Sequence, residues 1–402
     1  MKYDFDTLVS REGTNSSKWR MKSDVLPMWV ADMDFKAAPE ILSVLQKRLD
    51  NGVFGYSFIP KEWNEAIKSW GQRRHNVSLE NEWMCFCTGV IPAISTAIRR
   101  FSSPGDQILV QAPVYHVFFN CIKNNGREIL SNDLVYKNGS YEIDFDDLEA
   151  KLAQPLTTMM LLCNPHNPIG KIWNKETLKK IGELCYKHDV LVISDEIHCD
   201  ITDPGLSYVP FISVSEECKN NSITCISPTK AFNIAGLQSS AVVTPNEKIR
   251  SRLNAAINYD EVGEANAFAI IAAIAAFNEG EAWLDELREY LFENKKVVAN
   301  FIKEQGLPVK LLPSSATYLL WLDCSAFCED SSEFMNFLRD KAGLWLNDGN
   351  AYRGDRFFLR MNIATQRERV LEGLKRLQKG INLYTSKKKE KKICSLNSFL
   401  PP

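Results

Sequence analysis

Three features of the chain predict an α/β fold: a large domain with a mostly parallel central sheet, plus a smaller α+β domain built from both chain ends. Short apolar runs alternate with amphipathic stretches through the middle of the sequence. Several of those runs lack polar alternation, as strands covered on both faces do. At 402 residues, 45% of them hydrophobic, the chain can also bury a large core.

The predicted strands are 107–110, 158–163, 190–194, 223–226 and 241–244. Between them, a helix over 176–186 places Leu178, Ile181, Leu184 and Cys185 on one face. That βαβ rhythm argues for the parallel sheet. The run ANAFAIIAAIAAF (265–277) is too short to span a bilayer and is read as a buried helix. A long helix over 283–305 ends before Gly306 and Pro308. A strand at 318–322, a helix at 332–341 and a strand at 357–361 follow. The expected division is therefore 1–47, packing on the small domain; 48–283, the large domain; 284–385, the small domain; and 386–402, a frayed basic tail with little to pack.

Composition removes several function classes. A formal charge of −2 makes no electrostatic case for nucleic acid. The eleven cysteines are scattered, often within apolar runs, as core thiols of a reducing compartment are. Cys85-x-Cys87 and Cys324-x₃-Cys328 have no second ligand pair at zinc-site spacing, so no metal is expected. The opening MKYDFDTLVSREG lacks the apolar stretch of a secretory signal. A cytoplasmic protein with no membrane partner is the expectation.

Four segments just beyond or before apolar runs can carry chemistry. SDE (194–196) follows the run VLVI, and ligands of α/β sheets bind outside the carboxyl ends of strands. Asp195 is thus a cofactor partner or a cap at the strand exit. SPTK (227–230) follows ITCI; a lysine beside a hydroxyl donor and apolar walls can become nucleophilic enough for imine chemistry. S-x-x-K alone is a weak signal. NPHNPIG (164–170) fixes a tight loop that presents the Asn167 amide or is simply a turn. TGVIP (88–92) opens a helix whose first backbone N–H groups can hold phosphate, or which is merely well started.

In combination, seven motifs resemble those of fold-type I pyridoxal-phosphate enzymes, the class I/II aminotransferase superfamily. They are PMWVADMDF (27–35), GVFGYS (52–57), PVYHVFF (113–119), LLCNPHNPIGKIW (161–173), SDEIHCD (194–200), SPTKAFNIAGLQ (227–238) and FFLRMNIA (357–364). Within that superfamily the likeness is to the MalY/PatB-type C–S β-lyases, which include cystathionine β-lyases. The resemblance implies pyridoxal 5'-phosphate as cofactor and Lys230 as both its Schiff-base lysine and the catalytic base. It implies that Asp195 pairs with the ring nitrogen, Asn167 with the phenolic oxygen, and that Tyr115 stacks on one ring face. Ile197 and His198 lie near the other face, where His198 is read as packing, since the lysine already supplies a base. Ser227 and the amides of Val90 and Ile91 hold the phosphate. Tyr56 reaches the phosphate of a neighbouring subunit, implying a homodimer. Arg360 clamps the substrate α-carboxylate, with Tyr56 and Trp29 beside the substrate.

The chain also departs from the superfamily. Gln238 stands eight residues after the lysine, where many aminotransferases carry arginine. Ala316, Cys199 and the stretch ATQR (364–367) differ from the pattern of the branch. The activity implied is α,β-elimination from cystathionine or a related cysteine S-conjugate to a thiol (homocysteine), pyruvate and ammonia. The alternatives are an aminotransferase and a protein of this fold with an added regulatory binding role.

Overall fold

A computed structural model describes residues 2–21, 24–354 and 356–397. It divides the chain into a larger unit, chiefly Lys36–Glu289 with Pro313–Thr317, and a smaller one. The smaller unit comprises Asp4–Phe35, Tyr290–Leu312 and the chain from Tyr318 onward. Two boundaries differ from those expected. Helix Pro39–Asn51 belongs to the larger unit, where it packs on helix Ala269–Glu279. Residues 313–317, expected in the small domain, return to the larger unit. There the N–H groups of Ser315 and Ala316 both donate to the Gly170 carbonyl, at 2.8 and 3.0 Å. Such pairings join residues far apart in sequence, and no local pattern announces them.

The larger unit is built on seven strands: β1 (Met84–Cys87), β2 (Gln107–Val110), β3 (Glu128–Ser131), β4 (Thr157–Cys163), β5 (Leu191–Asp195), β6 (Ser222–Ile226) and β7 (Ser240–Val243). Their spatial order is β1-β7-β6-β5-β4-β2-β3. The pairs β6–β5, β5–β4, β4–β2 and β2–β3 are parallel, and β7 runs antiparallel to both its neighbours. Every residue of β1, β5 and β7 is buried, because helices cover both faces of the sheet. The sequence pattern missed β1, a four-residue run with two cysteines, and β3, an edge strand that is only half-covered.

Helix Val90–Phe101 buries Val90, Ala93, Ile94, Ala97 and Ile98, an i, i+3, i+4 stripe that meets Phe118 and Ile122 of helix Val117–Asn124 in the core. Helix Lys175–Lys187 buries Leu178, Ile181 and Cys185, and its Asn174 cap accepts from the Thr177 N–H at 2.8 Å. Helix Ala269–Glu279 is the buried helix that its small apolar residues predict. Among the described residues, no helix is long and apolar enough to cross a membrane.

The smaller unit carries a four-stranded antiparallel sheet in the order Lys310–Leu311, Leu319–Asp323, Phe358–Asn362, Asn347–Asp348. Leu26–Pro27 pairs in parallel with Leu344–Trp345. The expected frayed tail is corrected: helix Arg367–Asn397 runs on through KKKEKK. Lysine and glutamate are good helix formers, and the lysine stems find aromatic faces. Lys387 lies 5.3 Å from the Phe337 ring and Lys388 5.2 Å from that of Tyr384. Residues 398–402 lie outside the described residues.

Asp34 is the polar centre of this unit. Its carboxylate accepts from Lys18 Nζ at 2.8 Å and Trp19 Nε1 at 2.8 Å, and the side chains of Lys18 and Asp34 are each only 1% exposed. Burial alone would raise the Asp34 carboxyl, but the Lys18 charge and these hydrogen bonds outweigh it and hold it below its ordinary value. The resulting stabilisation is present above the ordinary carboxylate range and is lost as pH falls through the depressed value. Asp34→Ala takes the nearest carboxylate from the buried Lys18 ammonium, leaving it the longer contact to Asp32 at 3.6 Å, and should cost about 3 kcal/mol in guanidinium unfolding. A loss under about 1 kcal/mol would place this pair with weak surface ion pairs.

Candidate active site

Strands β4, β5 and β6 lie side by side, with Cys163 opposite Asp195 and Asp195 opposite Cys225. The three chemistry-bearing segments that follow them therefore emerge together at the carboxyl edge of the sheet. Asp195 is fully buried between the two thiol-bearing strands. Its Oδ1 accepts from the Ile197 N–H at 3.1 Å, and its carbonyl accepts from the Asn164 N–H at 3.0 Å. Burial pushes the carboxyl up to about 6; the Ile197 hydrogen bond and the Lys230 charge only partly offset that. Lys230 sits half-buried on the short helix Pro228–Ala231 and acts electrostatically on Asp195.

Ser227 serves locally as the cap of that helix. Its hydroxyl accepts from the Thr229 N–H at 3.1 Å and donates to the Ser239 carbonyl at 2.6 Å. The neighbouring Ser239 Oγ is buried and has no hydrogen-bond partner among the described residues. Helix Val90–Phe101 starts after Gly89 without a side-chain cap. The first N–H groups of any helix lack intrahelical acceptors, so those of Val90 and Ile91 are available to an anion. Gln238 is exposed and left-handed, with φ 55°.

Asn167 is buried in the loop after β4, its N–H directed at the Cys163 sulfur at 3.4 Å. The loop is tied down at both ends. His166 Nε2 meets the Pro113 carbonyl at 2.8 Å, and the His166 N–H donates to the Lys171 carbonyl at 2.7 Å. Gly170 has φ +64°, and a Cβ there would come within 2.2 Å of Ser314 Oγ and 2.9 Å of the Ala316 carbonyl. Burial drops His166 to about 4, so it is neutral at physiological pH. Tyr115 is half-buried and packs, with Ile91 and Ile197, on the core beneath the sheet edge. His198 is buried in the turn after β5.

The remaining sequence-predicted residues stand elsewhere. Tyr56 is fully exposed, at 103%, in a stretch without regular secondary structure. Arg360 and Trp29 belong to the smaller unit and meet there: an Arg360 Nη2–H donates to the Trp29 carbonyl at 2.9 Å. Arg360 is 2% exposed and lies 4.9 Å over the Tyr352 ring, while the Trp29 ring stacks on Trp345 at 4.2 Å.

Sequence reasoning missed Glu196 as the anchor of the β5 exit. Its buried carboxylate accepts from Ser194 Oγ (2.8 Å), the Phe211 N–H (2.9 Å) and the Tyr208 hydroxyl, and burial lifts it to about 7. It also missed Ser239; the doubled serine after GLQ was the available signal.

Residues 24–377 match the family described as aminotransferase class I and II. The chain is 41% identical over 385 residues to cystathionine beta-lyase PatB of Bacillus subtilis, covering 94% of this chain and 100% of that protein. It is 31% identical over 381 residues to protein MalY of Escherichia coli, covering 92% and 97%. The crystal structure of cystalysin from Treponema denticola, which contains a pyridoxal 5'-phosphate cofactor, superposes with a TM-score of 0.91 at 34% identity, covering 95% of this chain and 99% of that one. The fold is that of the fold-type I pyridoxal-phosphate enzymes. The chain belongs to the aminotransferase class I and II family.

The two raised carboxyls set a pH dependence. An unfolded Asp titrates near ~4, whereas Asp195 in the folded chain titrates at about 6. Between these values the folded state binds more protons, so stability falls as pH rises, and Glu196 extends the fall to about 7. In cofactor-free protein, Asp195→Asn should flatten the decline in guanidinium midpoint over that interval. An unaltered slope would mean that Asp195 is solvated.

Proposed function

We propose that this chain is a pyridoxal-phosphate-dependent C–S β-lyase that cleaves cystathionine or a related cysteine S-conjugate to a thiol, pyruvate and ammonia. The observation that carries this reading is the Lys230–Asp195 pair at the edge of the sheet, intact in a chain 41% identical to PatB over its full length.

The residues present fit the cofactor. A buried acid at a strand end suits a protonated ring nitrogen, which would relieve its desolvation. The uncapped start of helix Val90–Phe101 suits a phosphate, and Ser239 Oγ, buried with no partner among the described residues, offers a further donor beside Ser227. When bound, the cofactor supplies an electron sink for the pair left on the substrate α-carbon. Lys230 would hold it at rest; Asp195 would keep the ring nitrogen protonated. Asn167 would orient the phenolic oxygen, Tyr115 one ring face, and His198 would pack near the other. Ser227, Val90 and Ile91 would hold the phosphate. Gln238, neutral and exposed, leaves that charge to neutral donors.

Lys230 Nζ, once free, takes the α proton. The Cβ–S bond then breaks with its electron pair leaving on sulfur, while a Cα–Cβ double bond forms. A thiolate is a competent leaving group because it is far less basic than an alkoxide. The sulfur gains a proton, and hydrolysis of the enamine consumes one water to give pyruvate and ammonia. Arg360 would clamp the α-carboxylate through two parallel hydrogen bonds, with Trp29 and Tyr56 at the substrate. Val53, Phe54, Tyr56 and Phe58 are all exposed in the stretch 52–60, and an apolar patch of this kind suits cover by a second copy of the chain. A homodimer in which Tyr56 reaches the partner's phosphate, as the resemblance implies, would cover this stretch.

L-Cystathionine should yield pyruvate, ammonia and homocysteine with no 2-oxo acid added, in a coupled pyruvate assay. Lys230→Ala should abolish release, and borohydride should fix a pyridoxyl group on Lys230 of the parent protein. Arg360→Lys should weaken several amino-acid substrates by at least about tenfold, since an ammonium cannot replace the two-bond clamp. Brisk amino-group transfer to an added acceptor without pyruvate release would make the chain an aminotransferase.

Shared sites have their own signature. Mixing inactive Lys230→Ala chains with impaired Tyr56→Phe chains should regain activity above either alone, because hybrid dimers keep one intact site. A fully active monomer rules this out.

A further inference from the structure

Behind the β5 exit, at the end of helix Lys61–His75, three side chains of different ligand type converge. A ring nitrogen of His75, Cys199 Sγ and a carboxylate oxygen of Asp200 lie within 4.8 Å of one another. Cys199 and Asp200 are each 5% exposed. His75 Nε2 is 2.7 Å from Asp200 Oδ1, and Trp70 Nε1 donates to the same oxygen at 2.9 Å. These residues also line a cavity of about 30 Å³, room for a group the size of an ion, whose remaining walls are largely apolar, among them Ile67, Val77, Leu79 and Phe277. Thr224, another lining residue, has a buried Oγ1 with no hydrogen-bond partner among the described residues.

We propose that His75, Cys199 and Asp200 bind one divalent cation of the zinc class. Imidazole, thiolate and carboxylate are the donors such ions take, and three protein ligands leave a fourth position for water. The Trp70 N–H on Asp200 is the outer hydrogen bond that orients a ligating carboxylate. Without the ion, burial and the neighbouring Asp200 and Glu196 carboxylates keep the Cys199 thiol protonated. Binding sends that proton to solvent and replaces the His75–Asp200 hydrogen bond with two metal bonds. The ion would then tie the helix end to the turn that leaves Asp195.

The test uses tag-free holoenzyme stripped with a chelator and titrated with cobalt(II). Tetrahedral cobalt absorbs at the red end of the visible range, clear of the cofactor. One equivalent per chain should produce those bands, zinc should abolish them, and the melting temperature should rise with either ion. Cys199→Ser and His75→Gln should each lose the tetrahedral intensity and weaken cobalt binding by at least about tenfold. Failure of the parent protein to bind cobalt overturns the proposal and leaves His75–Asp200 as an ion pair. Equal bands and affinity in both variants overturn it too, placing the ion elsewhere. Cofactor absorbance and circular dichroism of the variants establish that they are folded.

Discussion

A carboxylate held out of water at the end of a central strand is the constraint around which the larger unit is organised. Asp195 has thiol-bearing strands on both sides, one backbone N–H on its oxygen and a lysine charge within electrostatic reach. Burial of this kind is unfavourable for a charged group unless a partner arrives. It is possible only because the parallel sheet is covered on both faces, so that β5 carries its last residue into a dry environment. The same topology brings the exits of β4, β5 and β6 to one edge. A site that favours a cationic partner for Asp195 thus follows from strand pairing before any loop is considered.

Loops then set the angles. Glu196, next to the key acid, spends its carboxylate on Ser194, Tyr208 and Phe211, which anchors the chain as it leaves the sheet. Gly170 allows residues 314–316 to lie against the loop that carries Asn167, at a distance no other residue type permits. Side chains on a rigid frame and backbone turns with no slack are what a cofactor site requires.

The smaller unit satisfies its irregular segment in another way. Residues 28–35 have no regular secondary structure, yet most of their carbonyls are taken by side chains. Trp29 accepts from Asn347 and Arg360, Val30 and Asp32 from Asn362, and Ala31 from Tyr318. Asp34 in turn fixes Lys18 and Trp19. Much of the motif PMWVADMDF is therefore scaffolding, which holds Arg360 in a defined orientation.

The sequence by itself determined five of the sheet's seven strands and the order of chemistry along them. Apolar runs without alternation betray doubly covered strands, and the polar residues after them mark the edge where ligands bind. The positions of Lys230, Asp195 and Asn167 just beyond strands were legible for that reason, and the motifs tied the chain to one family. Tertiary structure alone decided the rest. Neither the return of residues 313–317 to the larger unit nor the anchoring of Glu196 by Tyr208 and Phe211 has a local signature, and the same holds for the meeting of His75 with Asp200. Each depends on side chains or backbone groups far apart in sequence, and their positions are set by packing rather than by periodicity or turn chemistry.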